Sequence, residues 1–260
     1  MRINFILHLL KVFKCFVFHI EFRVSILKSF FILFLLFSLM ACEERIFDNP
    51  FDPGASKREF IVLSTLNIPF NLPRDLTWDG VTLWLIDEDT GKIYSLNKYN
   101  GSIVRSFNSP LPRATGLVYD GSGLWVSSSQ RAQLVKINIV TGETLKTINI
   151  QRGQITSLAY DSQNLWGFDK SANKIYQVDP NSGQILGSIN NPGFSVGGMA
   201  FFENYLWISD PNVFSIYKIS STGSLEATYS SPGQFPAGIT WDGFYIWNAD
   251  GNKKIYQLQY

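Results

Sequence analysis

The chain has 260 residues, of which 45% are hydrophobic, 15% aromatic and only 17% charged. Such a composition buries a core and excludes intrinsic disorder. The formal charge of +1 hides an asymmetry: residues 1–41 hold five of the 22 Lys/Arg and one of the 21 Asp/Glu, leaving 17 against 20, about −3, from Cys42 onward. That balance offers no electrostatic footprint for nucleic acid. Both histidines, His8 and His19, precede Cys42, so the remainder has no Ser-His-Asp triad, His-liganded zinc or His general base.

The first predicted element is a signal over residues 1–41. Charges interrupt it at Arg2, Lys11, Lys14, Glu21, Arg23 and Lys28, and the longest uncharged run, Ser29 to Cys42, falls short of the ~18 residues of a spanning helix. The run fits the apolar region of a secretory signal with Arg23 and Lys28 as its positive flank. Residues 1–22 read as a start placed too early, with Val24 as an alternative start; a long signal or an extra membrane helix is the other reading. The ending Leu39-Met40-Ala41-Cys42 resembles a bacterial lipobox. The resemblance implies a lipoprotein of the bacterial cell envelope, periplasmic or surface-facing, with Cys42 lipidated; an uncleaved anchor would leave the domain on the same side of the membrane. Cys15 and Cys42 are the only cysteines, so the part beyond them has no disulfide to form. Residues 42–57, with Asn49-Pro50-Phe51-Asp52-Pro53-Gly54, have the Pro, Gly and charge content of a tether.

The rest, residues 58–260, is a repeat. Trp84, Trp125, Trp166, Trp207 and Trp247 are spaced 41, 41, 41 and 40. Six residues before each stands another aromatic: Trp78, Tyr119, Tyr160, Phe201, Trp241. Asp79-Gly80, Asp120-Gly121, Asp161-Ser162 and Asp242-Gly243 lie between them as tight-turn signals, and Phe202-Glu203 departs from the pattern. Ile93-Tyr94 and its counterparts follow, then a turn at Gly101, Gly142, Gly183 and Gly223 and one more alternating strand. Four short antiparallel strands in about 41 residues is the size of a propeller blade. A helical solenoid is excluded, because no segment sustains a 3.6-residue period. The fifth unit ends after its third strand, and Leu66 lies nine residues before Asp75 as Phe107 lies nine before Gly116. Phe60–Asn67 is therefore expected to be the outer strand of the last blade. The fold class is all-β: a five-bladed β-propeller whose ring is closed by an N-terminal strand.

The unit from Leu76 to Trp84 followed by Ile93-Tyr94-Ser95-Leu96 resembles blades of bacterial secreted propellers. Among five-bladed ones it is similar to the plant-type glutamine cyclotransferases. Their Phe-Thr-Gln-Gly and Glu-Ser-Thr-Gly segments correspond here to Arg74-Asp75-Leu76-Thr77 and Leu85-Ile86-Asp87-Glu88. Neither motif is present, so the resemblance implies the fold and not the cyclase chemistry.

Repeated positions serve the scaffold, whereas a small ligand breaks five-fold symmetry. On this reasoning the five Trp are inter-blade wedges, and Trp78 and its equivalents are scaffold as well. Asp87, Ser128, Asp169, Asp210 and Asp250 cap turns, and Asp87-Glu88-Asp89-Thr90-Gly91 is a solvated turn without a calcium-loop pattern. No metal or cofactor is expected. Positions that differ between blades are the candidates for ligand binding. Loops leading into the inner strands offer Arg74, Arg113, Gln154 and Phe235, and the facing loop set offers Glu88, Arg131 and Phe214. The arginines suit a carboxylate or sulfate, and the phenylalanines a sugar or peptide side chain. Should an acid/base carboxylate exist, it is Glu88 or Asp75, working with the rim arginines.

The sequence thus predicts a membrane-tethered binding module for a small molecule, glycan, peptide or envelope protein, acting at its channel mouth or rim. An enzyme of the glutaminyl-peptide cyclotransferase or lyase kind using a rim carboxylate, and a structural part of an envelope assembly, are the alternatives.

Overall fold

The computed structural model describes residues 57–151 and 153–260. The signal of residues 1–41, the Cys42 lipidation site and the tether up to residue 56 lie outside the described residues. Within them the chain forms twenty strands in five antiparallel four-stranded sheets. The strand β1 (Ile61–Asn67) comes first. Blade one follows with β2 (Pro73–Trp78), β3 (Leu83–Asp87), β4 (Lys92–Leu96) and β5 (Ile103–Asn108). Blade two has β6 (Ala114–Tyr119), β7 (Leu124–Ser128), β8 (Arg131–Ile137) and β9 (Thr144–Asn149). Blade three has β10 (Ile155–Tyr160), β11 (Leu165–Asp169), β12 (Lys174–Val178) and β13 (Ile185–Asn190). Blade four has β14 (Gly198–Phe202), β15 (Tyr205–Asp210), β16 (Ser215–Ser220) and β17 (Leu225–Ser230). Blade five has β18 (Pro236–Trp241), β19 (Ile246–Asp250) and β20 (Lys254–Gln259), completed on its outside by β1.

The closing strand pairs as the arithmetic requires, with Leu66 opposite Ile255 and Asn67 opposite Lys254. The expected strand is one residue too long at its start. Phe60 turns away to stack on Tyr229 of blade four, with ring centroids 4.6 Å apart. Arg58 and Lys57 continue this cross-blade staple: Arg58 N donates to Thr228 O at 2.9 Å, and Lys57 Nζ to Val213 O at 2.9 Å. One short segment thereby ties blade four to blade five.

Each blade-to-blade seam is a separate hydrophobic core, and each is wedged by one of the repeated tryptophans. Trp84 of blade one packs with Leu117 and Leu124 of blade two. Trp125 meets Leu158 and Leu165, Trp166 meets Met199 and Leu206, Trp207 meets Ile239 and Ile246, and Trp247 returns to Leu76 and Leu83. All five are buried, so truncating any one to Ala costs about 3–5 kcal/mol.

The turn that delivers each wedge is built by the aspartate five residues earlier. Asp79 Oδ1 accepts from Val81 N at 2.7 Å and Thr82 N at 2.6 Å, while Oδ2 accepts from Trp84 Nε1 at 2.7 Å. Asp120, Asp161 and Asp242 do the same for Trp125, Trp166 and Trp247 at 2.8, 2.8 and 3.0 Å. Blade four has Phe202 at this position, and Trp207 Nε1 has no hydrogen-bond partner among the described residues. Phe202 instead stacks on Trp207 at 5.0 Å and on Trp241 at 5.2 Å.

Candidate functional site

The inner strands β2, β6, β10, β14 and β18 surround the propeller axis, and the channel between them is stopped part-way along. One level of the ring reads Asp75, Gly116, Ser157, Gly198, Gly238. The glycines are required by close approach: a Cβ on Gly198 would run into the backbone of Gly238, and a Cβ on Gly238 into that of Asp75 and Leu76. One carboxylate fills the space these residues leave. Asp75 is wholly buried and accepts from Leu76 N at 3.1 Å, Leu117 N at 3.1 Å, Ser157 Oγ at 3.0 Å and Leu158 N at 3.1 Å. It therefore knots three blades together. Burial pushes its pKa up to about 7 against the opposing pull of these four donors. Ser157 is the one neighbour able to turn its hydroxyl round and accept the proton of the neutral form.

On one side of the knot lies the loop face, where the inner strands begin. Asp87, Asp169, Asp210 and Asp250 are buried there and accept from their own turns, and Asp87, Asp210 and Asp250 also accept from the loop that leads into their blade. Asp210 illustrates the pattern, accepting from Phe194 N at 2.7 Å and Asn212 N at 2.9 Å. Ser128 does this in blade two by donating to Pro112 O and accepting from Gln130 N. With these carboxylates withdrawn, the functional side chains of this face are the ones that differ from blade to blade. Glu88 sits between two arginines: Arg74 Nε and its terminal nitrogen both lie 2.6 Å from Oε2, and Arg113 Nε lies 3.6 Å from Oε1. The Glu88 side chain is 8% exposed, against 43% for Arg74 and 61% for Arg113. The glutamate is thus the inner, neutralised member of a basic cluster. Arg74 is the second residue of β2 rather than part of the loop before it.

Arg131 is exposed at the start of β8, and Gln154 is exposed just before β10. Phe214 and Phe235 are both exposed on this face: Ser231 N donates to Phe214 O at 2.8 Å, and Gly251 N to Phe235 O at 2.9 Å. Phe214 holds a φ of 53°, at the turn position occupied by Gly91 and Asn173 in blades one and three. A side chain bearing a Cβ pays roughly 1–2 kcal/mol for that left-handed conformation. A ring kept exposed at such a position is not explained by packing.

On the far side of the knot lies the turn face, where the inner strands end. A cavity of about 130 Å³ opens here on the axis. Residues bordering it include Trp78, Tyr119, Tyr160, Phe201 and Trp241, one aromatic from each blade, with Phe202 as a second from blade four, and Thr77 and Thr240. Each of these rings also packs against an inter-blade core. Their packing agrees with the scaffold role that the repeat assigns to them, and they border the cavity as well. The signal for that cavity was the six-residue spacing itself. A site on a pseudo-five-fold axis is lined by equivalent positions, so the reasoning that assigns repeated residues to the scaffold overlooks an axial cavity.

Comparison with protein-family models and with curated proteins finds no match for this sequence. Solved structures do match. Myxococcus xanthus glutaminyl cyclase aligns with a TM-score of 0.70 at 13% identity, over 78% of this chain and 97% of that one. A streptogramin B lyase aligns with a TM-score of 0.46 at 20% identity, over 75% of this chain and 68% of that one. BamB from Moraxella catarrhalis gives 0.44 at 14% identity, over 74% and 61%. The chain is similar to the cyclase in fold, which at this identity is all the likeness carries.

Proposed function

We propose that this chain is a lipid-anchored binding module that works outside the cytoplasm and recognises its ligand at the loop-face rim without a covalent step. The observation that carries this reading is the state of its two candidate carboxylates. Asp75 is sealed on the axis by four donors, and Glu88 is enclosed by Arg74 and Arg113. Asp75 presents no free oxygen to a substrate proton, and Glu88, largely buried, is paired with Arg74 through Oε2 at 2.6 Å and has Arg113 3.6 Å from Oε1. What this face does present is Arg113, Arg131, Phe214 and Phe235, a set suited to an anionic group with an apolar or aromatic neighbour. The sequence Leu39-Met40-Ala41-Cys42 supports the anchor.

Two measurements test the reading. Cells fed a clickable fatty acid are expected to label the wild-type chain and not the Cys42→Ser variant; label retained in that variant overturns the anchor. A glutaminyl-peptide cyclisation assay is expected to show no turnover. Turnover that disappears in Glu88→Gln would make the chain an enzyme despite its missing motifs.

A further inference from the structure

Both ends of the propeller expose large apolar side chains, and charge sets the two ends apart. At the turn face, the turn after each inner strand carries an acid, Asp79, Asp120, Asp161, Glu203 or Asp242, and later turns add Glu143 and Asp179. Among the described residues, Lys98 is the one base within these turns, and it is paired with Asp242 as Lys136 from β8 is with Asp120. Tyr99 and Phe244, each 82% exposed, therefore stand on an acidic face. The loop face is the reverse. Its turns between second and third strands, with the first residue beyond each, carry Lys92, Arg131, Lys170, Lys174, Lys253 and Lys254, and the loop before β6 adds Arg113. Against them stand Asp89 and Glu88, the latter held between Arg74 and Arg113, while the four capping aspartates are buried.

Three phenylalanines are exposed on this basic face, in loops that are hydrogen-bonded in series. Phe194 is 75% exposed and donates its N–H to Asp210, which also accepts from Asn212 N in the turn that carries Phe214. Ser231 N donates to Phe214 O and begins the loop that carries Phe235. Exposed apolar side chains of this kind mark interaction surfaces. At a bilayer they enter the boundary between head groups and acyl chains, and each nearby Lys or Arg adds attraction to anionic lipid. A fluid bilayer needs no fixed spacing between the groups that meet it, which suits a face whose exposed side chains differ from blade to blade. The described chain also enters here: Lys57 Nζ donates to the carbonyl of Val213, the residue before Phe214. Lys57 is fifteen residues on from Cys42, so a lipid on that cysteine keeps a bilayer within roughly 50 Å of it. We propose that the loop face docks the propeller on an anionic lipid bilayer, with Phe194, Phe214 and Phe235 in the interface and the surrounding arginines and lysines on the head groups. This rests on the rim reading above and deepens it by naming the ligand as an anionic phospholipid surface.

All twenty strands lie between Ile61 and Gln259 and their ring closes on itself, so residues 42–260 with Cys42→Ser, which removes the lipid, contain the whole propeller. The test is flotation of this chain with vesicles. Equimolar phosphatidylglycerol and phosphatidylcholine are expected to bind it at least about tenfold more tightly than phosphatidylcholine alone, with most of that advantage lost at about 0.5 M salt. Phe194→Ser, Phe214→Asn and Phe235→Ser combined are expected to weaken binding about tenfold or more; Asn suits the left-handed φ at position 214. Lys170→Gln, Lys174→Gln, Lys253→Gln and Lys254→Gln combined are expected to cost about tenfold or more as well. Tyr99→Ser with Phe244→Ser, on the acidic face, is expected to change nothing. Thermal transitions recorded beside each set separate lost docking from lost fold. Equal flotation with the two vesicles overturns the proposal, as does unchanged affinity in both loop-face sets or an equal loss in the turn-face pair. Absence of flotation removes the bilayer as ligand and leaves the rim reading standing, whereas cyclase turnover lost in Glu88→Gln removes the rim reading whatever the vesicles do.

Discussion

Where the inner strands begin, the buried turn residues recur but the exposed or charged side chains differ from blade to blade: Arg74 and Glu88 belong to blade one, Arg113 and Arg131 to blade two, Phe214 to blade four, and Phe235 stands at the head of blade five. Where the same strands end, four of five blades repeat one device, an aspartate that folds the turn and holds the wedge tryptophan. The two faces share strands and differ in what evolution of a repeat permits. Loops leading into a blade bury single anchors such as Phe70 and Leu111 and leave their other side chains exposed, so those diverge and can meet an asymmetric ligand. Turns that position a wedge are constrained alike, so whatever they surround is lined alike. An irregular rim and a regular axial cavity are thus both made by one architecture, separated by the knot at Asp75.

The separation depends on the channel being closed at that knot, and the most severe way to break it is to add one carbon there. Gly238→Ala would drive a Cβ into the backbone of Asp75 and Leu76. Backbone cannot yield as a side chain does, so the expected cost exceeds the roughly 1–3 kcal/mol of ordinary overpacking, and cooperative unfolding should be lost or strongly weakened. Gly80→Ala is the control on the turn face. Nothing lies within 4 Å of its added Cβ, and only the φ of +97° is strained, for about 1 kcal/mol. Equal urea midpoints for the two variants would show that the inner strands can part and that the channel is not closed.

A milder test uses the proton on Asp75. Its pKa is about 7 in the folded chain against 3.8 for the unconstrained group. Below about pH 4 both states hold the proton and it contributes nothing. Between about pH 4 and pH 7 the unfolded chain releases it while the folded chain keeps it, so stability falls as pH rises, by on the order of 4 kcal/mol across that window. Above about pH 7 both states are ionised and the dependence levels off. Urea unfolding at a series of pH values should show this slope in the wild type and a flat profile in Asp75→Asn. A wild-type profile that rises through the window would mean that the four donors outweigh burial and that the knot is ionised throughout.

Much of this was legible in the spacing of the tryptophans. A wedge at every blade seam must recur at the blade length, and the register of β1 followed from counting nine residues between Leu66 and Asp75. The capping role of Asp87 and its equivalents was legible too, because short polar side chains before a turn act locally. Other features arise between blades, where sequence separation hides them. That Glu88 is enclosed depends on Arg113 reaching across from the next blade. That Asp75 is sealed depends on donors 42 and 83 residues away. The axial cavity was hidden for a different reason: its lining residues were visible, but their periodicity had already been explained by packing.

The smallest predicted effect concerns the one blade whose turn breaks the rule. Trp125→Phe and Trp207→Phe remove the same volume from equivalent seams. In blade two the change also removes the indole N–H that Asp120 accepts at 2.8 Å, leaving that half-buried carboxylate with Lys136 and the turn donors. In blade four the N–H of Trp207 has no partner to lose, and its removal relieves a buried donor. A hydrogen bond to a charged group contributes about 1.5–3 kcal/mol, whereas the packing loss is common to both variants. Trp125→Phe should therefore lower the unfolding free energy by about 1–2 kcal/mol more than Trp207→Phe. Equal losses would mean that the aspartates shape their turns without holding the wedges. The regularity of the turn face would then rest on packing alone, and Phe202, stacked on both Trp207 and Trp241, would be a full substitute for the aspartate it replaces.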